Sequence, residues 1–328
     1  MILSTLDKSR KGGAYEQIPS LVLGQRWTPQ LNSRNMMKVV LCVWIEPYIE
    51  NDLSFCVWPV HTPTTSKEVL TLSASTSPLP YTGNKSCIVN TILSVMPKHT
   101  VYIDPCMGSA KVFFRKPRAE KEILNDYNGD LVNLFRVIQN NEKLAYLLGR
   151  LYLSINGELA FKQNKDRLKG VPNILDDVIE TSQIFYDASW EDIQNAAAFL
   201  ENQVYSFSST GQTFGIARRD MSQRLPRLMS AYNRIRDAII LHRDYKDVIT
   251  YAACPGSFIL LDPPYKGTED MYSKANFDIE QHDILFSFMS EVNQQHHGEV
   301  KFLITYNNDP YIRGLAEKHG FDTFVQTR

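Results

Sequence analysis

From Pro78 onward, short apolar runs alternate with segments of helical periodicity. Ile88, Ile92 and Val95 fall on one helical face, and Val101-Tyr102-Ile103 then reads as a strand. A second helix is predicted from Leu131, Leu134, Phe135 and Ile138, spaced i, i+3, i+4 and i+7. Phe258-Ile259-Leu260-Leu261 is a continuous apolar run that stops at Asp-Pro-Pro, the form of a fully buried strand ended by proline. The next helix is expected to begin at Asp278, with Gln281 three residues on and Ile284, Leu285, Phe288 and Val292 on its inner side. Phe302-Leu303-Ile304 is a further strand, and DTFVQTR at the end is strand-like. Strands and helices in this alternation predict an α/β fold with a parallel sheet.

Two stretches break the pattern. Between 146 and 243 the texture is helical, including Ile193, Ala196, Ala197 and Leu200 behind a Ser189-x-x-Asp192 cap, and it contains a polar loop, SFSSTGQTFG. It reads as a domain inserted between two α/β portions, 77–145 and 244–328. Residues 1–76 carry short apolar runs such as Val39-Val40-Leu41, interrupted by Pro47, Pro59 and Pro63 and followed by a Ser/Thr-rich stretch. This N-terminal extension is left open between a poorly ordered segment and a folded unit.

Composition narrows the class. A chain of 328 residues with 43% apolar content can bury a large core. Its net charge of −1 means that any nucleic-acid contact must come from a local basic face. Five cysteines, widely spaced and without a C-x-x-C pair, argue against a disulfide framework or a zinc site and fit a reducing, cytoplasmic setting; no metal is expected. The apolar run at 39–45 is too short to span a bilayer.

Chemistry concentrates at a few places. Asp262-Pro263-Pro264-Tyr265 follows a buried strand, so it sits at the carboxyl edge of the sheet, where open α/β folds bind ligands. An exocyclic amine of a base is a poor nucleophile. A carboxylate (Asp262) and a rigid backbone carbonyl (Pro263, held by Pro264) can accept its hydrogens while an aromatic ring (Tyr265) stacks on the base. The alternative is a plain strand-ending turn. Tyr102-Ile103-Asp104-Pro105-Cys106-Met107-Gly108 is a strand followed by a small-residue turn, suited to close approach of a ligand. Ile123-Leu124-Asn125-Asp126 ends a second strand in an acid, the place from which nucleotide-binding folds contact ribose hydroxyls. Asp126, Asn125 and Asn128 also compete to cap the following helix. Lys85, in Tyr81-Thr82-Gly83-Asn84-Lys85, precedes a helix start, where a cation is unfavourable; it reads either as facing an anionic partner such as a ligand carboxylate or as a solvated loop lysine. Arg218, Arg219, Arg224, Arg227, Arg234, Arg236, Arg243 and Lys246 crowd the end of the insert, opposed by Asp220, Asp237 and Asp244. They fit either phosphate contact or a solvated face. Ser208, Ser209, Gln212 and Arg218 are available for hydrogen bonds to phosphates or base edges.

The order YTGNK, YIDPCMGSA, EILNDYN, insert, HRDYKDV, LLDPPY resembles the D12 class of N6-adenine DNA methyltransferases across roughly residues 77–325. The resemblance implies a Rossmann-like sheet that binds S-adenosylmethionine, with a helical target-recognition domain inserted into it. It implies site-specific methylation of a flipped adenine in double-stranded DNA. Tyr81, Gly83 and Lys85 then match the N-terminal cofactor motif, and Asp104, Pro105 and Gly108 the methionine-binding turn. Asp126 matches the ribose-binding acid, Asp244 and Tyr245 the acidic-aromatic pair beside the cofactor's adenine, and Asp262 to Tyr265 the catalytic loop. DNA contacts are expected from Ser208, Ser209, Gln212, Arg218, Arg219 and Arg224. Members usually begin a few residues before the YTGNK-like motif and continue into a final sheet hairpin, so residues 1–76 lie outside the resemblance. A cytosine-N4 methyltransferase, for which Ser-Pro-Pro-Tyr is the commoner loop, and an inactive DNA-binding module are the competing readings. The oligomeric state stays open between a monomer and a weak dimer, and the recognised DNA sequence is not legible.

Overall fold

Seven strands pair, each parallel to its neighbour, in the order β4-β3-β2-β5-β6-β1-β7. This computed structural model describes residues 77–81, 83, 85, 87–176, 189–216, 219–267 and 277–326, and the backbone pairing of 38–43. The strands are β1 (Lys38–Val43), β2 (Val101–Asp104), β3 (Lys121–Asn125), β4 (Ile239–Leu241), β5 (Ser257–Leu261), β6 (Lys301–Asn307) and β7 (Asp322–Gln326). Helices α1 (Val89–Val95), α2 (Lys111–Arg115), α3 (Gly129–Gln139), α4 (Asn141–Tyr152), α5 (Glu158–Lys169), α6 (Trp190–Tyr205) and α7 (Leu225–Ile235) precede β4. They are followed by α8 (Tyr245–Ala252), α9 (Ile279–Gln295) and α10 (Pro310–Lys318). Among the described residues, no helix is long and apolar enough to cross a membrane.

The apolar runs became central strands because both faces of the sheet are covered, so each residue needs an apolar partner. Alternate residues feed two cores. Tyr102, Leu124, Phe258, Leu260 and Leu303 pack with α1 to α4, α6 and α7, whereas Ile103, Ile123, Ile259, Leu261 and Ile304 pack with α8 to α10. Chain direction reverses between β2, which leads outward to β3 and β4, and β5, which leads to β6. A crevice opens at such a reversal, at the carboxyl ends of the strands.

Helix starts follow local chemistry. Asn128 caps α3 by accepting from the Asp130 amide, which resolves the competition among Asn125, Asp126 and Asn128. Ser189 and Asp192 form a reciprocal capping box on α6, and Asp278 caps α9 through the amides of Glu280 and Gln281. The inner face of α9 is rotated from the expected one. His282, Leu285, Phe286, Met289, Val292 and Asn293 are buried while Ile284 is 39% exposed, because the helix packs against Tyr306 of β6 as well as on the sheet.

Helices of the stretch 146–243 pack into the layer that covers the sheet. α6 packs on α3, α4 and α5, its buried residues belong to the same core as β2 and β5, and Ile239–Leu241 is an edge strand paired with β3. Apolar faces on both ends of the stretch fuse it to the helical layer, so the boundary at 243/244 cuts just behind a strand. The extension 1–76 also contributes to the sheet. Residues 38–43, whose Val-Val-Leu run was visible, lie between β6 and β7, and β7 joins the sheet only through them. The rest of that extension lies outside the described residues.

Candidate active site

At the crevice, three strand ends are stitched by one amide. Asn125, 1% exposed, donates to the Pro105 and Arg243 carbonyls (2.8 and 2.9 Å) and accepts from the Arg243 amide (2.9 Å), tying the exits of β2, β3 and β4 together. The turn after β2 is held by the bond from the Met107 amide to the Asn125 carbonyl. Gly108 sits in this turn at φ +47°, a left-handed conformation that favours glycine, beneath the ring of Tyr81. Asp126 closes the turn, accepting from the Gly108 amide with one oxygen and from the Asn128 amide with the other, both at 2.9 Å. The backbone of Tyr127 gives this carboxylate a further hydrogen bond, so of its about four acceptor positions one remains for a ligand. Asn128 also donates to the Tyr81 hydroxyl (3.3 Å).

The acids share a desolvated space. Burial pushes Asp104 up to about 8, offset in part by the hydrogen bond from Tyr102 (3.0 Å) and reinforced by Asp262 and Asp126. Burial likewise raises Asp126 to about 6, against its backbone hydrogen bonds. Burial and then the Asp126, Asp104 and Asp262 carboxyls push the Cys106 thiol well above its ordinary value, so it stays protonated and is no nucleophile.

Asp262 follows β5, where Pro263 ends the pairing. Its Oδ1 accepts from Thr305 Oγ1 at 2.6 Å, and its Oδ2 is ion-paired with Lys85. The anionic partner of Lys85 is therefore Asp262 in this state of the protein. Burial works against the Lys85 ammonium, but Asp262 and then Tyr265 outweigh it and hold its pKa above the ordinary value. The Lys85 Nζ lies 5.0 Å from the centre of the Tyr265 ring. On the far side, Asp244 caps α8 through the Lys246 amide (2.8 Å), and the buried Tyr245 hydroxyl has no hydrogen-bond partner among the described residues.

One cavity of about 1030 Å³ runs across this edge. Every residue expected to hold the cofactor lines it: Tyr81, Gly83, Lys85, Asp104, Pro105, Gly108, Asp126, Asp244, Tyr245 and Asp262; Pro263 and Pro264 do so as well. Tyr265 stands beside it, its ring against Tyr306 (5.9 Å). Of the expected DNA-contacting residues, Ser209 and Gln212 line the cavity, Ser208 is exposed nearby, and Arg218 lies outside the described residues. The arginine cluster divides. Arg219 donates to the Val204 carbonyl and Arg224 is half-buried. Arg234 is buried, paired with Glu122 and stacked 3.7 Å from the Phe113 ring centre, and Arg243 bonds the Asp176 carbonyl. Arg234 and Arg243 are structural, because sequence proximity does not reveal that α7 turns one arginine inward over β3.

Several cavity residues carried no motif. Lys165 and Lys169, one helical turn apart on α5, face the loop 206–215, and Lys165 donates to the Gln212 carbonyl (2.7 Å). Asn202 and Gln203 on α6 also line the cavity, and their side-chain oxygens have no partner among the described residues. The i, i+4 lysines were a visible signal; the buried amides were not.

A doubly wound parallel sheet with acids at its reversal point and an Asp-Pro-Pro-Tyr loop beside them defines the class of α/β enzymes that bind nucleotide-like ligands at a sheet edge. A family model for D12 class N6 adenine-specific DNA methyltransferases matches residues 81–325, and the chain belongs to that family. It is 25% identical over 258 residues to the DNA N-6-adenine-methyltransferase of Escherichia phage P1, covering 74% of this chain and 31% of that protein. It is 25% identical over 247 residues to modification methylase StsI of Streptococcus sanguinis, covering 70% and 35%. To type II methyltransferase M.CviBI of Paramecium bursaria Chlorella virus NC1A it is 22% identical over 231 residues, covering 70% and 79%. The chain thus spans about a third of the length of the first two relatives.

Proposed function

We propose that this chain transfers a methyl group from S-adenosylmethionine to the exocyclic N6 of an adenine flipped out of duplex DNA. One observation carries the reading: the Asp262-Pro263-Pro264 loop and the Gly108–Asp126 turn line a single cavity at the reversal point of the sheet. When bound, the cofactor supplies an electrophilic methyl carbon on a positively charged sulfur. The residues present fit such a group: Asp104 and Asp126 suit an ammonium and ribose hydroxyls, the small turn at Gly108 admits close approach, and Asp244 and Tyr245 would hold the cofactor's adenine. Asp262 and the Pro263 carbonyl accept the two hydrogens of the amine, which returns electron density to N6, and Asp262 is placed to take up the proton that must leave. Tyr265 stacks on the extruded base. The segment from α5 to α7 supplies target recognition, with Ser209, Gln212, Lys165 and Lys169 on the DNA side. Relatives named as modification methylases support the same reading.

The test is transfer of radiolabelled methyl groups to duplex DNA, with the labelled nucleoside identified after digestion. Label should appear on adenine, and Asp262→Ala should reduce turnover by at least roughly 10²-fold while leaving the fold intact. Label on cytosine would shift the reading to the N4 reaction; no transfer by the wild type would refute it.

A further inference from the structure

Thr305 interrupts the apolar run of β6 with a hydroxyl and is fully buried, at 0% exposure. Ile304 pairs with Leu261, the last residue of β5, so Thr305 stands beside Asp262 at the strand exit. Its hydroxyl donates to Asp262 Oδ1 at 2.6 Å, with the Leu261 carbonyl a more distant contact at 3.4 Å. The same side chain hydrogen-bonds Tyr265. A hydroxyl has one proton and two lone pairs. Lys85 completes the arrangement, ion-paired with Asp262 Oδ2 and hydrogen-bonded to Tyr265.

We propose that Thr305 is the positioning residue for the loop from Asp262 to Tyr265. It fixes Oδ1 and so assigns Oδ2, the oxygen now held by Lys85, as the one presented to the exocyclic amine. The inference deepens the methyltransferase reading and rests on it. A carboxylate turns broadly about its last torsion. A short charge-assisted bond from a buried β-branched side chain, itself stiff at χ1, removes that freedom. Because one hydroxyl holds both ends of the loop, the acceptor and the aromatic ring keep a fixed relation. Lys85 must give up Oδ2 when the amine arrives, whereas Thr305 keeps its bond throughout.

Thr305→Val keeps the shape and deletes the hydroxyl; Thr305→Ser keeps the hydroxyl and deletes a methyl. For Thr305→Val, kcat for adenine methylation should fall roughly 10- to 100-fold, with the KM for DNA and the cofactor Kd within about twofold of wild type. Thr305→Ser should recover most of kcat. A crystal structure of Thr305→Val should show Asp262 and Tyr265 turned from their present orientations. An unchanged kcat for Thr305→Val, or equal loss in both variants, would overturn the proposal. So would a Thr305→Val structure with both side chains in place, and this arm stands even if the wild type methylates no DNA, an outcome that counts against the methyltransferase reading instead.

Discussion

Asp104, Asp126 and Asp262 occupy one desolvated pocket with Lys85 as the cation paired to one of them, so carboxylates outnumber the cations beside them. Asp104 and Asp126 bind protons more tightly in the folded chain than in the unfolded one. The sign of the linkage follows: their contribution to stability is full below their ordinary carboxylate range and is lost as pH rises through about 6 and about 8. A ligand ammonium reverses this by stabilising the ionised acids. Cofactor affinity should therefore rise between about pH 6 and about pH 8, with proton release on binding. Calorimetry in buffers of different ionisation enthalpy measures both, and Asp104→Asn should flatten the dependence. An affinity that falls with pH would remove Asp104 from the cofactor site. The acids themselves stood out in the sequence at strand ends; their shared burial did not, because it arises from three chain segments meeting.

Among the elements, β1 is the one that the pattern of apolar runs left undecided. It pairs with β6 on one side and β7 on the other. Val40→Pro removes an amide donor from a strand paired on both sides, a substitution such positions do not tolerate. Hydrogen exchange should then accelerate in β7 and along the exposed edge of β6, while β2, β3 and β5 keep their protection. Unchanged protection of β7 would mean that it is held without β1. β2, β5 and β6 were legible because residues buried on both faces give apolar runs. A short edge strand such as Ile239–Leu241 has too few residues to announce itself, and it went unrecognised inside the helical stretch.

For the molecule as a whole, net charge is close to zero, so the DNA contact proposed above must come from a local cationic face. Arg234 and Arg243 are used inside the fold, whereas Lys165 and Lys169 of α5 line the cavity and have only exposed partners, the Gln212 carbonyl and Asp166. Changing Lys165 and Lys169 together to Gln should lower the slope of log affinity against log salt by about 1 to 2, as loss of one or two phosphate contacts requires. Filter binding across a salt series checks this. An unaltered slope would place the phosphate-contacting face elsewhere, with Arg227 and Arg236 the next exposed cations to test.

The α/β class, the strand-and-turn positions of Asp104, Gly108, Asp126 and Asp262, and the family those motifs belong to could all be read along the chain. Each is a local pattern whose spacing is dictated by backbone geometry. Only the tertiary structure decided that 146–243 shares the core of the sheet, that residues 38–43 bridge β6 and β7, and that Arg234 points inward. It also decided that Thr305, forty-three positions from Asp262, holds its carboxylate. Those facts depend on which segments become neighbours after folding, and parallel pairing brings together residues whose separation along the chain carries no local signal.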